Sequence, residues 1–488
     1  IMQALDTTIA NVALPHIQGA MSATQEQIAW VLTSYIVAAA IMTPTTGFLA
    51  ARFGRKRLFV GAVTGFTLVS MLCGAATSLD ELVVFRLLQG AFGAGLVPLS
   101  QAVLLDSFPK EKHGQAMAMW GLGVMVGPIL GPTLGGYLTE FYSWRWVFYI
   151  NLPFGILAVL GILAFVPDTR RDTTRRFDLY GFALLSLAIG ALQLLLDRGE
   201  TKDWFSSPEI VLETVLAGLC FYMFIVHMLT AKRPFLDPHM FKDRNFATGL
   251  LFIFIVGIVL LATLSLLPPF LQNLMDYPVL TTGFVMAPRG IGTMIAMFLV
   301  GRLIGRVDTR LLVLAGICLT ALSLWEMAGF TTEVSIREIV RTGITQGLGL
   351  GFMFVPLSTI TFVTLPAQYR TEATAMFSLM RNLGSSIGIS VVMTLLAQNT
   401  QVNHAELVAG ITPFNPMFKA PHLPPFWSLS DPAGLAAINA EVTRQAATIA
   451  YLDDFRLMAV LVLLAVPLLL LLRSPRRRPS EAATIAAE

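Results

Sequence analysis

Residues 109–131, PKEKHGQAMAMWGLGVMVGPILG, return as residues 366–388, PAQYRTEATAMFSLMRNLGSSIG. At this spacing of 257, Pro109 stands over Pro366, Ala116 over Ala373, Ala118-Met119 over Ala375-Met376, Gly127 over Gly384 and Gly131 over Gly388. One position further apart, Pro98-Leu99-Ser100 matches Pro356-Leu357-Ser358. Upstream, GFLAARFGRKRL (47–58) echoes GRLIGRVDTRL (301–311), and QGAFGAG (89–95) echoes QGLGLG (346–351). An ordered series of this kind is the mark of an internal repeat.

The repeat lies in an unusually apolar chain. Of 488 residues, 55% are hydrophobic and 13% charged, and the mean hydropathy is +0.71, which predicts one polytopic membrane protein rather than several soluble domains. A hydrocarbon core needs about 20 helical residues to cross. Runs of that length predict fourteen spans, at 1–20, 27–50, 58–78, 82–105, 115–139, 146–166, 179–197, 209–230, 247–274, 281–304, 311–330, 337–363, 372–397 and 452–472. The runs are continuously apolar rather than alternating, so the spans are helices and not barrel strands. Cys73, Cys220 and Cys318 all fall inside such runs and imply no disulfide framework. A net charge of +3 gives no reason to expect a nucleic-acid partner. No cleavable signal peptide is visible, and the opening IMQALDTTIA suggests that part of the first span lies upstream.

Taking alternate connections as cytoplasmic gathers most of the 33 lysines and arginines on one side, which places both termini in the cytoplasm by the positive-inside rule. The repeat pairs spans 4 and 5 with spans 12 and 13, two more than a six-span half would give. The predicted plan is therefore 6 + 2 + 6: an N-terminal bundle over 1–168, two inserted helices over 169–232, and a C-terminal bundle over 233–488. Matching spans keep one orientation, so the repeats are parallel, with a pathway expected between them near mid-membrane.

Several residues carry charge or polarity into these spans. Asp6, in QALDTTIANVALP, sits near the midplane by count, where a carboxyl usually faces a cavity or a partner. It reads as a group alternating between protonated and ionised states, or as a packing residue tied to nearby hydroxyl and amide groups. Arg86, about one turn below the outer edge, has Gln89 on the same face; it either partners Asp6 or snorkels to the outer interface. Asn11 and Gln89 are expected in the substrate cavity, with Arg289 and Arg381, which lie eight to ten residues inside their spans. No acid is expected at that depth in the second half, so the two arginines would make the cavity electropositive or else bond freed backbone carbonyls. Glu326 and Arg341 are read as a structural pair. The loop GFLAARFGRKR is a topology signal and a candidate gate, through Gly47, Arg52, Gly54 and Arg55. In span 5, Gly123, Gly127, Gly131 and Gly135 form one stripe and Pro128, Pro132 and Gly136 another; the glycine face is expected to press on a helix at the interface between halves. The connection 398–451 reads as one long outer loop, Pro- and aromatic-rich at first and helical towards span 14. HExxH, phosphate-loop, GxSxG and Cys/His metal spacings are all absent, so neither an enzyme nor a cofactor is expected.

With these motifs in place, the chain resembles the 14-helix drug/proton antiporter branch of the major facilitator superfamily. LDTTIANVALP (5–15) resembles its helix 1 motif, GFLAARFGRKR its loop motif, RLLQGAFGAG its helix 4 motif and GVMVGPILGPTLGG its antiporter motif. The resemblance implies proton-driven export of hydrophobic or amphipathic compounds from the bacterial inner membrane. It further implies a periplasmic membrane-fusion adaptor and an outer-membrane channel, for which 398–451 is the expected docking segment. The family's loop motif carries an acid before its first Arg where this chain has Ala51, so the latch is expected to be weaker or differently paired. Uptake of a small metabolite and a non-transporting sensor are the competing readings.

Overall fold

The computed structural model describes residues 1–109, 112–169, 171, 177–232, 234–412, 414–415 and 427–473, with backbone alone at 25, 26, 128, 132, 279 and 280. The first helices are α1 (Met2–Ala20), α2 (Gln25–Met42), α3 (Thr45–Phe53), α4 (Arg55–Ala75), α5 (Leu79–Gly93) and α6 (Leu96–Ser107). They are followed by α7 (His113–Phe141), α8 (Trp146–Tyr149), α9 (Asn151–Phe165), α10 (Leu179–Arg198) and α11 (Pro208–Thr230). The chain ends with α12 (Arg244–Pro269), α13 (Val279–Leu303), α14 (Thr309–Met327), α15 (Ile336–Val363), α16 (Arg370–Ala409) and α17 (Pro432–Leu464). The fold is all-helical because hydrocarbon offers no partner for a free backbone N–H or C=O. Helix ends are closed by side chains: Ser78, Asp243 and Ser335 each accept from a backbone N–H in the first turn that follows.

Among the described residues, eleven helical stretches are long and apolar enough to cross a membrane, or twelve if the bent pair α2–α3 counts as one. Expected spans 1 and 14 are helical, as α1 and the end of α17, but fall outside that set. Expected span 2 is not one rod. It bends by 59° between α2 and α3, where Pro44 supplies no N–H to continue the ladder.

Close glycine contacts hold the N-terminal helices α1–α9 together, and likewise the C-terminal α12–α17. A Cβ on Gly127 would lie 2.6 Å from the Ala4 carbonyl carbon, and one on Gly131 2.0 Å from Thr8 Oγ1, so α7 sits backbone to backbone on α1. Their repeat counterparts Gly384 and Gly388 do the same on α12, where a Cβ would lie 2.1 Å from Phe254 O and 2.6 Å from Ile258 O. The expected position of the glycine stripe needs correction. Gly127, Gly131 and Gly135 press on α1 in their own group of helices rather than across the interface between groups. Small residues face small gaps wherever two helices must meet, and that need exists within a bundle as well as between bundles. Pro128 and Pro132 fall inside α7; their side chains lie outside the described residues.

The two groups meet through α7 with α13 and α15, and through α16 with α3 and α6. These contacts are paired by the repeat. Gly47 of α3 faces Glu372 of α16, and Gly301 of α13 faces Ala118 and Gln115 of α7; Glu372 and Gln115 are themselves 257 apart. Gly54 and Gly305, just beyond each of these glycines, have φ of 88° and 89°, which a side chain would strain. Helix α10 lies against both α2 and α16, with Gln193 Nε2 donating to Ser386 Oγ at 2.8 Å, and α11 packs on α10.

The connection 398–451 is not a loop for most of its length. Helix α16 runs on to Ala409 and α17 begins at Pro432, and His404 Nε2 lies 3.0 Å from Asn439 Oδ1 between them. At ~1.5 Å per residue, the 40 residues of α16 extend about 60 Å, twice a hydrocarbon core. Residues 413 and 416–426, with most of the Pro- and aromatic-rich part, lie outside the described residues.

Replacing Gly127 or Gly384 by Val should therefore lower the melting temperature of the detergent-solubilised protein by several degrees through overpacking. Gly61→Ala, where a Cβ meets nothing within 4 Å, should leave it unchanged. Equal melting of all three variants would remove the close-contact account.

Candidate functional site

The N-terminal helices enclose one polar cluster. Asp6, on α1 between the buried Leu5 and Ile9, is fully buried, and so are Arg86 and Gln89 of α5, Asn151 at the start of α9 and Ser70 of α4. Asp6 Oδ2 accepts from Arg86 Nη1 at 2.7 Å; Asp6 Oδ1 accepts from Gln89 Nε2 and Asn151 Nδ2, each at 2.9 Å. Arg86 Nη1 also donates to Gln89 Oε1 at 2.7 Å, and Arg86 Nε to the Val31 carbonyl at 3.1 Å. The Tyr35 ring lies 4.3 Å from the guanidinium carbon. Asn151 Nδ2 donates on to Ser70 Oγ at 3.0 Å.

Counting residues from the membrane edge placed Arg86 too shallow. Helix α5 starts at Leu79, which carries Arg86 two turns inward to meet Asp6. Tyr35, Ser70 and Asn151 gave no sequence signal, since each is a single polar residue in an apolar run. The cluster joins α1, α2, α4, α5 and α9 through one carboxylate. Protonating Asp6 would remove the charge that matches Arg86 and weaken every bond to Oδ1 and Oδ2. Asn11, expected in the cavity, is exposed on α1 and joins none of these bonds.

The C-terminal helices hold the two other expected arginines. Arg289 is buried on α13; its Nη2 lies 3.4 Å from the Leu260 carbonyl, while its Nη1 has no partner among the described residues. Arg381, on α16, is half-buried. Glu326 and Arg341 pair at 3.5 Å, as the sequence suggested. Asp454, near the start of expected span 14 on α17, is a further buried group of these helices, 1% exposed.

At the end that carries the 47–58 loop, Asp106 of α6 accepts from Arg55 of α4 and from Arg370 of α16. Arg370 also donates to the Leu105 carbonyl at 3.3 Å, and Thr374 Oγ1 to the Pro98 carbonyl at 3.1 Å. Arg52 and Gly47 belong to the same corner, Gly47 beneath Glu372. The acid missing at Ala51 thus has a substitute in Asp106, which binds arginines from both groups of helices. Elsewhere in the antiporter stretch, Gly123 lies loosely beside Ile1, and Gly136 accepts from Thr139 Oγ1 at 3.0 Å.

A polytopic helical membrane transporter is the class that two such helical groups, each holding buried charge, define. The chain belongs to the Major Facilitator Superfamily, whose family model matches residues 1–389. It is 38% identical over 421 residues to multidrug export protein EmrB of Escherichia coli strain K12, covering 86% of this chain and 82% of that one. To fatty acid resistance protein FarB of Neisseria gonorrhoeae it is 37% identical over 477 residues, with coverage of 97% and 94%. Among solved structures, the human organic anion transporter MFSD10 matches in fold with a TM-score of 0.61 at 14% identity, covering 96% of this chain and 97% of that one.

Removing one member of a buried ion pair typically costs about 3–5 kcal/mol, because the other is left uncompensated. Arg86→Met should therefore lower thermal stability sharply, and adding Asp6→Asn to it should restore part of the loss. A double variant no more stable than the single one would show that the pair is not energetically coupled. Asp106→Asn should weaken both arginine contacts, so that a cysteine placed at position 374 reacts faster with maleimides than in the Thr374→Cys variant alone; unchanged rates would deny it a closing role.

Proposed function

We propose that this protein exports hydrophobic or amphipathic drug-like compounds across the bacterial inner membrane in exchange for protons. The observation that carries the reading is the buried Asp6–Arg86 pair with its three amide and guanidinium contacts. A carboxylate so placed in a span is a proton-relay residue by default. It gives up or takes a proton only when the helices around it part, and that ties protonation to the shape of the bundle. Relatives named for multidrug export and fatty acid resistance support the direction and the breadth of cargo.

In this proposal the chain crosses the membrane fourteen times on a 6 + 2 + 6 plan. Residues 1–168 and 233–488 rock about the cargo, and 169–232 supply two inserted helices. With the basic end in the cytoplasm, the contacts of Gly47 with Glu372, Gly301 with Ala118, and Asp106 with Arg55 and Arg370 close the inner side. The state described is then one closed on its inner side. Protonation of Asp6 from outside, followed by rocking, presents the cargo site inward; release of the proton readies it for the next molecule. The projecting α16–α17 hairpin is the docking segment for a periplasmic membrane-fusion adaptor and, through it, an outer-membrane channel.

Reconstituted into proteoliposomes with an imposed proton gradient, the protein should move ethidium against its concentration gradient and release protons as it does so. Asp6→Asn should abolish the gradient-driven component by at least tenfold while leaving equilibrating exchange. Accumulation by Asp6→Asn at the native rate would sink the proton-coupling step, and cargo movement in the same direction as protons would favour uptake.

A further inference from the structure

The repeat places a second site opposite the first. At the spacing of 257, Gln89-Gly90 of α5 corresponds to Gln346-Gly347 of α15. The packing agrees: a Cβ on Gly90 would lie 2.3 Å from the Tyr35 carbonyl oxygen, and one on Gly347 2.0 Å from that of Arg289. Helix α5 therefore rests on α2 at Tyr35 as α15 rests on α13 at Arg289. Both glutamines are fully buried. What differs is the charge between them.

In the N-terminal site the Arg86 guanidinium is matched by Asp6. Arg86's counterpart at this spacing is Gly343, whose missing side chain leaves open the ground beside Arg289, with the Arg289 Cβ 3.7 Å away. Gln346 meets no carboxylate there; its Nε2 donates to the Thr263 hydroxyl at a long 3.3 Å. Arg289 is 6% exposed, and it forms no ion pair with any described residue. Its Nη1 and the Gln346 Oε1 are both buried without a partner among the described residues. An ionised carboxylate only accepts, so it is complemented by Arg289 Nη1 and by the Gln346 amide turned to present its Nε2. An arginine cannot shed its charge in place, and burying that charge unmatched in a bilayer is costly.

We propose that Arg289 and Gln346 form the recognition point for the carboxylate of an amphipathic acid, so that the cargo itself supplies the anion that Asp6 supplies in the N-terminal site. This inference rests on the export reading for its setting but not for its test. Arg381, half-buried on α16 where its backbone carbonyl meets Gly257 of α12, is a second cation of the C-terminal helices. The guanidinium suits a carboxylate bidentately, which an ammonium in its place does not.

The purified full chain in detergent tests this with three probes, decanoate, 1-decanol and ethidium, in gluconate and in chloride buffers. In gluconate, decanoate should raise the melting temperature and 1-decanol at the same concentration should not. Arg289→Gln should weaken decanoate binding at least tenfold and leave ethidium binding within twofold, with Arg289→Lys between. Equal losses for decanoate and ethidium, or no loss for either, would overturn the assignment. So would an Arg289-dependent stabilisation by chloride with decanoate unaffected, since the site would then hold an inorganic anion. Because binding is read without transport, failed ethidium export in vesicles would sink the export reading and leave this result standing. Intact export with Arg289-independent decanoate binding would do the reverse.

Discussion

A single carboxylate, Asp6, holds the N-terminal helices in register. Its two oxygens take bonds from α5 and α9, and Arg86 carries the link on to α2 through the Val31 carbonyl. In water such a pair contributes little, but inside a bundle in a bilayer its members cannot be resolvated separately. The choice is therefore between all the contacts and a rearranged helix set. In the proposed exchange a proton makes that choice, because it would act on the one group whose charge every neighbour is arranged to meet.

Close packing makes the choice mechanical. Helix α7 lies backbone against backbone on α1 at Gly127 and Gly131, so a shift of α1 that follows a change at Asp6 cannot be absorbed by side chains between them. The opposite face of α7 meets α13, where Gly290 lies beneath Ile129 and Gly301 beneath Ala118. This stretch of α7 thus connects the helix that carries Asp6 to the other group of helices. Its glycines serve the link to α1, and the crossing to α13 depends more on glycines of α13. Reading the stretch alone could not separate these faces, because a stripe of small residues reports that a partner comes close without saying which one.

The fold was legible in the sequence to the extent that it is periodic. Apolar runs gave the helices, and the 257-residue repeat anticipated which contacts recur, down to Gly384 and Gly388 on α12. Asp6 and Arg86 stood out because charge is expensive in those runs. Asn151, Ser70 and Tyr35 did not, since a single neutral polar residue in an apolar run is common, and only the fold brings them to Asp6 and its partners. Asp106 was hidden for another reason. It replaces the acid missing at Ala51 from a different helix, a substitution in space rather than in sequence. The helical character of 432–451 was legible, but the continuation of α16 through 398–409 was missed because span length was set by bilayer thickness, which does not bound a helix that continues into water.

Duplication gives two bundles the same packing, and transport requires that they not be used in the same way. At the end with the 47–58 loop, the cross-contacts keep the pseudo-symmetry in backbone but break it in charge: Glu372 lies over Gly47, whereas its counterpart Gln115 lies by Gly301. In the interior the same division holds, with a matched Asp–Arg pair in one bundle and an arginine facing no acid in the other. In the proposed exchange, the bundle that balances its own charge takes and releases a proton without cargo, and the bundle that leaves a cation unmatched is completed by an anion from outside. If both bundles were self-sufficient, neither ion nor cargo would bias the rocking of one against the other; the asymmetry of charge on a symmetric frame is what allows the two events to be coupled.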